Sequence, residues 1–146
     1  MNLSQAISVV AGVFHRWNQA LQEPEVLLFQ RAAQDVGGGH WEFPGGKVEP
    51  GESDSQALRR ELEEEIAIKV QVKEKLGNSQ FQSGSGRVFE LRVYFVLGSV
   101  EQIQLLEHQA MKWVRLSTVV ESELSIGDRP LIRKCFEDLR LTHTKS

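Results

Sequence analysis

Cysteine occurs once in this chain of 146 residues, at Cys135, so no intrachain disulfide can form and a cysteine zinc cluster is excluded. Long apolar runs are missing as well. The longest, Ile7 to Phe14, falls far short of the roughly 18 residues of a membrane span. The N-terminus shows neither a basic n-region nor a small-residue cleavage site, so export is not expected and a reducing cytoplasm is. Seventeen Lys and Arg against 20 Asp and Glu leave a net charge of −3, which provides no polybasic footprint for duplex DNA or an anionic membrane. Only 8% of residues are aromatic and four are proline, yet 40% are hydrophobic, enough for one compact core and too many for a disordered chain.

Against these scarcities one excess stands out: Glu61, Glu63, Glu64 and Glu65 fall within five positions. They lie in the clearest helical pattern of the sequence. Ser53 and Gln56 form a capping-box pair, Asp54 suits the positive end of the helix dipole, and Leu58, Leu62 and Ile66 recur every four residues, predicting a helix over 53–66. Ile7 to Phe14, Val26 to Gln30, Trp41 to Phe43, Val70 with Val72, Val88 to Leu97 and Met111 to Leu116 read as strands. Arg16 to Glu25 reads as a polar connection that includes Trp17, Gly37 to Gly39 as a flexible loop, and Gly45 to Glu52 as a tight loop entering the helix. Asp128 as N-cap, Pro130 in the first turn and the stripe Leu131, Ile132, Cys135, Phe136 and Leu139 predict a closing helix. Strands mixed with two separated helices give an α/β (α+β) sandwich, one domain over 5–141 with flexible termini at 1–4 and 142–146.

At about 100° per residue, Glu61, Glu64 and Glu65 span roughly 100° of arc, beside the Leu58, Leu62, Ile66 stripe. Glu61 and Glu65 are an i, i+4 like-charge pair, which disfavours an isolated helix by a few tenths of a kcal/mol unless a cation intervenes. A hard divalent cation with oxygen ligands turns that repulsion into binding. The alternative is a solvated acidic face, with Arg59 and Arg60 pairing to Glu63 or Glu64. Upstream, glycines at 45 and 46 let the backbone bend toward a metal on the helix face, and Lys47 can meet phosphate oxygens.

Gly46, five residues, Glu52, seven residues, then Arg60, Glu61, Leu62, one residue, Glu64, Glu65 and finally Ile68 resemble the signature of the Nudix hydrolases, G-x5-E-x7-R-E-U-x-E-E-x-G-U with U aliphatic. Ala67 stands where the signature has glycine, so the helix is expected to run on or end differently, with consequences for stability rather than chemistry. The resemblance implies the Nudix α/β/α sandwich with a mixed sheet. It also implies Mg²⁺, with Mn²⁺ able to substitute, and hydrolysis of a nucleoside diphosphate linked to another group. Carried over by position, Glu61, Glu64 and Glu65 are the implied metal ligands, completed by a carbonyl of Gly45 or Gly46. Arg60 is implied to orient a catalytic glutamate, Glu52 to support the metal shell, and Glu107 to assist from a later loop. A pyrophosphate link repels an attacking hydroxide, so cations must neutralise its oxygens and one of Glu61, Glu64 or Glu107 must accept the water proton.

The wider string from Trp41 to Glu49 resembles the MutT-like branch, which implies cleavage of nucleoside triphosphates, purines such as dGTP or 8-oxo-dGTP, to a monophosphate and pyrophosphate. RNA 5′-pyrophosphohydrolases share much of that string, so a triphosphorylated RNA 5′ end is the alternative substrate. NDP-sugar or dinucleoside polyphosphate hydrolysis and an inactive nucleotide-binding module rank lower. The same branch implies Arg31 as a phosphate contact, with Phe43, Val9 and Asp128 near the base. Asp128 could equally serve only as an N-cap, Phe43 and Val9 only as core, and Arg31 and Lys47 only as surface charges. His15, His40, His108 and His143 lack metal-ligand spacing and read as loop or surface residues. The assembly is expected to be a monomer or homodimer.

Overall fold

The structure, a computed structural model, describes residues 5–145. In chain order the elements are β1 (Ile7–Val13), β2 (His15–Asn18), β3 (Glu23–Gln30), β4 (Trp41–Glu42), β5 (Gly45–Lys47), α1 (Asp54–Ile66), β6 (Val70–Gln82), β7 (Val88–Gly98), β8 (Ala110–Val114) and α2 (Ile132–Lys145). Helix α2 therefore continues past 141, and residues 1–4 and 146 lie outside the described residues. Among the described residues no helix is long and apolar enough to cross a membrane.

Two four-stranded sheets form the middle layer. The first has the order β5-β1-β7-β6, with β1 parallel to β7 and the other pairs antiparallel. In the second, β2, β4 and β8 all pair antiparallel with β3. Because strand side chains alternate between faces, each sheet contributes to two cores. On one face Val10, Phe14, Leu27 and Phe29 pack with Ala57, Leu58, Leu62 and Ile66 of α1. On the other, Ala11, Val13, Val26, Leu28, Leu91 and Val93 pack with Ile132, Cys135, Phe136 and Leu139 of α2. The result is the expected mixed α/β/α sandwich, with Cys135 fully buried in the second core.

Several local expectations are corrected. Residues 16–18, read as part of a polar connection, belong to β2, where Trp17 stacks on His143 at 3.5 Å between ring centroids. Gly45 to Lys47 is a strand rather than a loop, because Lys47, Gly46 and Gly45 pair with Val9, Val10 and Ala11. A Cβ on Gly45 would lie 1.9 Å from the Val10 carbonyl oxygen, so only glycine allows this approach. Helix α1 starts with both capping-box hydrogen bonds in place, and it ends at Ala67 with φ 62°, ψ 30°. Alanine thus adopts the left-handed conformation that glycine would take, and its N–H donates to the Glu63 carbonyl. Asp128 precedes a 3-10 turn, Arg129–Leu131, and makes no side-chain capping bond, which removes the N-cap reading.

Candidate active site

Strand β5 lies across the carboxylate-bearing face of α1. The backbone N–H of Gly45 donates to the Glu65 carboxylate, and a Cβ on Gly46 would sit 2.3 Å from the Glu61 carboxyl carbon. Two consecutive glycines therefore let the strand touch two helix carboxylates. Arg60, on the same helix, gathers the neighbouring acids. Its Nε and an Nη donate to the two oxygens of Glu52 at 2.8 and 2.9 Å, while its other Nη donates to Glu61 at 2.9 Å and Glu64 at 3.3 Å. It also donates to the Lys47 carbonyl at 2.9 Å, tying helix, loop and β5 together. Paired to Arg60 and receiving the Glu49 N–H, the Glu52 carboxyl is held down at about 2.

Burial separates the three helix glutamates. Glu65 is 9% exposed, its Oε2 has no hydrogen-bond partner, and burial together with Glu107, Glu61 and Glu42 pushes its carboxyl up to about 9. Burial also raises Glu61, partly offset by Arg60, with Glu64 and Glu107 adding repulsion. Glu64 keeps 57% of its side chain exposed, and Glu107 is exposed as well. Among the described residues no three His, Cys, Asp or Glu side chains converge as a closed coordination shell would. The donor set nevertheless fits Mg²⁺: hard carboxylate oxygens, mutual repulsion and an orphaned buried oxygen are the conditions a hard cation relieves.

The loop bearing Glu107 is fixed on both sides of that residue. Leu106 N–H donates to the Glu65 carbonyl at 3.1 Å, and His108 Nε2 lies 3.0 Å from Glu42 Oε2. His108 is a loop residue, as expected, but it is only 9% exposed and packs on Phe29. Glu42 also accepts from Arg31 at 3.3 Å and from the Ser125 hydroxyl at 3.2 Å. Sequence reasoning gave neither Glu42 nor His108 a role. The one available signal was a lone carboxylate flanked by Trp41 and Phe43 in a short extended segment.

On the opposite face of the sheets, Asp128 is 4% exposed, and its Oδ1 has no partner. Burial, then the charge of Glu42, pushes its carboxyl well above the usual carboxylate range, while the Phe43 N–H donated to it acts the other way. The Phe43 ring is buried in the core at 3% exposure, so it meets Asp128 through its backbone and offers no open face for stacking. Val9 is half-buried at the edge of that core, and Lys47 is exposed. Arg31 is engaged by Glu42 and by the Val36 carbonyl at 2.8 Å. A concavity of about 420 Å³ lined by Gln56, Arg59, Arg60, Glu63, Lys69 and Val70 flanks α1 and contains neither Glu61 nor Glu65.

A helix carrying carboxylates under a glycine strand, set in an α/β/α sandwich, is the arrangement in which comparison with known proteins places the chain. The NUDIX domain model matches residues 7–135, and the chain belongs to the Nudix family. It is 40% identical over 126 residues to the CTP pyrophosphohydrolase of Escherichia coli K12, covering 86% of this chain and 88% of that protein. A shorter likeness, 56% over 45 residues, links it to the 8-oxo-dGTP diphosphatase of Proteus vulgaris, covering 31% of this chain and 40% of that one. The solution structure of the E. coli ORF135 protein superposes with a TM-score of 0.72 at 36% identity, covering 96% of each chain. The chain is a hydrolase of phosphorus-containing anhydrides that acts on nucleotides. Its family generally requires a divalent metal, typically Mg²⁺.

Proposed function

We propose that the protein is a Mg²⁺-dependent pyrophosphohydrolase that cleaves free (deoxy)nucleoside triphosphates of the cytoplasm to a monophosphate and pyrophosphate. The orphaned, buried Glu65 oxygen beside the partly buried Glu61 carries this reading, because a hard cation relieves both the unpaired oxygen and the repulsion between the two carboxylates. Glu61, Glu64 and Glu65 hold the metal, with β5 contributing the Gly45 or Gly46 backbone. A Mg²⁺ held there would supply positive charge for the phosphate oxygens and would lower the pKa of an attacking water. Arg60 keeps Glu61 and Glu64 in place, and Lys47 meets the phosphates. One of Glu61, Glu64 or Glu107 accepts the water proton, and the exposure of Glu64 and Glu107 supports those two.

Asp128 reads the base. As a neutral acid, the form its burial favours, it offers one donor and one acceptor, matching the N3 and N4 edge of cytosine. As a carboxylate it offers acceptors only, matching N1 and N2 of guanine. The first form, with the likeness to a CTP pyrophosphohydrolase over most of the chain, supports cytosine nucleotides. The second supports dGTP or 8-oxo-dGTP, in line with the shorter likeness to an 8-oxo-dGTP diphosphatase.

Incubation with Mg²⁺ and a panel of CTP, dCTP, GTP, dGTP and 8-oxo-dGTP should release pyrophosphate and the monophosphate, fastest for a cytosine nucleotide. Release of orthophosphate instead, or turnover of no nucleotide, overturns the reading.

A further inference from the structure

Ser79 stands out in the part of the fold that the metal site does not use. It is a serine in the middle of β6, 6% exposed, and its Oγ has no hydrogen-bond partner. Buried hydroxyls are normally paired, and an unpaired one costs about 1–3 kcal/mol. Asp128 Oδ1 is another buried atom in the same condition.

Backbone register places these residues on one face. Lys47 pairs with Val9, Val9 with Leu91, and Leu91 with Ser79, so the four form one row across β5, β1, β7 and β6. Directly paired residues project to the same side of a sheet, and Leu91 belongs to the core beneath α2, so Ser79 projects there too. Its same-face neighbours on β6 meet the segment that contains Asp128. A Cβ on Gly77 would lie 3.1 Å from Leu131 Cδ2, and a Cβ on Gly127 would lie 2.6 Å from Phe81 Cε1. Residue 77 thus faces 131 and residue 81 faces 127, leaving Ser79 between them, opposite the turn that begins at Asp128. The half-buried Val9 and Phe81 border the same region.

We propose that Ser79 is a second base-reading residue, its hydroxyl and the Asp128 carboxyl together lining the polar edge of a nucleobase slot between β6 and the 127–131 turn. This rests on the nucleotide reading above and deepens it. A hydroxyl both donates and accepts, so it completes the edge that Asp128 begins. A site built to hydrogen-bond a substrate discriminates strongly against one that leaves its polar groups unpaired.

The test is Ser79→Ala, compared with the wild type in kcat/KM across the cytosine, uracil, guanine and adenine triphosphates. The preferred nucleotide should lose about tenfold or more, mainly through KM, while poor substrates change less than about twofold, so that base selectivity collapses. The melting temperature should stay level or rise, because the variant removes an unpaired buried hydroxyl, and a merely structural serine would not combine that with lost selectivity. An equal loss for all bases, or unchanged selectivity, overturns the proposal while the triphosphatase reading stands. Wild-type protein that hydrolyses no nucleotide overturns that reading instead. Calorimetric binding of the four nucleoside monophosphates then still decides the role of Ser79: a base preference that Ser79→Ala abolishes supports it, and no such change refutes it.

Discussion

Arg60 and Glu52 meet in a two-pronged ion pair, Nε to one carboxylate oxygen at 2.8 Å and Nη to the other at 2.9 Å, across eight residues of sequence. Such a fork fixes orientation as well as distance, and a lysine cannot reproduce it. Because the same guanidinium holds Glu61, Glu64 and the Lys47 carbonyl, it is the joint between the helix and β5. Arg60→Lys should therefore lower kcat by about tenfold or more with only a modest change in melting temperature, since the ion pair itself lies near the surface. Steady-state kinetics beside thermal melts check this. Unchanged kcat would remove Arg60 from the positioning role.

Gly45 and Gly46 are adjacent, but alanine should fail differently at each. At 45 the added Cβ meets the backbone of β1, which cannot move away, so Gly45→Ala should destabilise the fold by several kcal/mol. At 46 it meets the carboxylate end of Glu61, which can swing aside, so Gly46→Ala should stay folded and lose most turnover. Circular dichroism and pyrophosphate release on the two variants separate the outcomes.

Ala67 carries a left-handed backbone in a residue with a Cβ, so Ala67→Gly should stabilise the protein by about 1 kcal/mol, or roughly 2–4 °C in melting temperature. The carboxylates of α1 all precede this position, so kcat should be unchanged. No rise in melting temperature would contradict the strain.

Glu65 makes stability depend on pH in the absence of metal. Its carboxyl titrates near 9 in the fold and near the ordinary glutamate value when unfolded, so the unfolded chain loses that proton first. The contribution is fully present below about pH 4, declines as pH rises, by at most about 1.4 kcal/mol per unit, and is gone above about 9. Chelator-treated protein should thus lose stability to unfolding between pH 5 and 9 relative to Glu65→Gln, in which that decline is absent. Mg²⁺ should restore the wild type most at high pH, where the Glu65 carboxyl is already ionised. Urea melts across that range, with and without Mg²⁺, provide the measurement, and parallel pH profiles for wild type and variant would refute the assignment.

The local grammar of the chain determined α1 and what it carries. Ser53 and Gln56 lie three residues apart, Leu58, Leu62 and Ile66 recur at the helical period, and Glu61, Glu64 and Glu65 share a face, all within distances that helix geometry fixes without help from the rest of the fold. Even so, the sequence did not show that Glu65 would be buried and Glu64 exposed, because that depends on β5 crossing the helix. Tertiary structure alone decided which distant residues meet around α1 and in the proposed base slot. Glu42 and His108 are 66 positions apart, and Ser79 lies 49 positions before Asp128. No periodicity links residues at such separations, and a polar residue inside a strand gives no sign of what will face it. Ala67 shows the same division in one residue. Its substitution for glycine is plain in the sequence, but the tertiary fold held the helix end in the left-handed turn against alanine's own preference, since the contacts on either side outweigh about 1 kcal/mol of backbone strain.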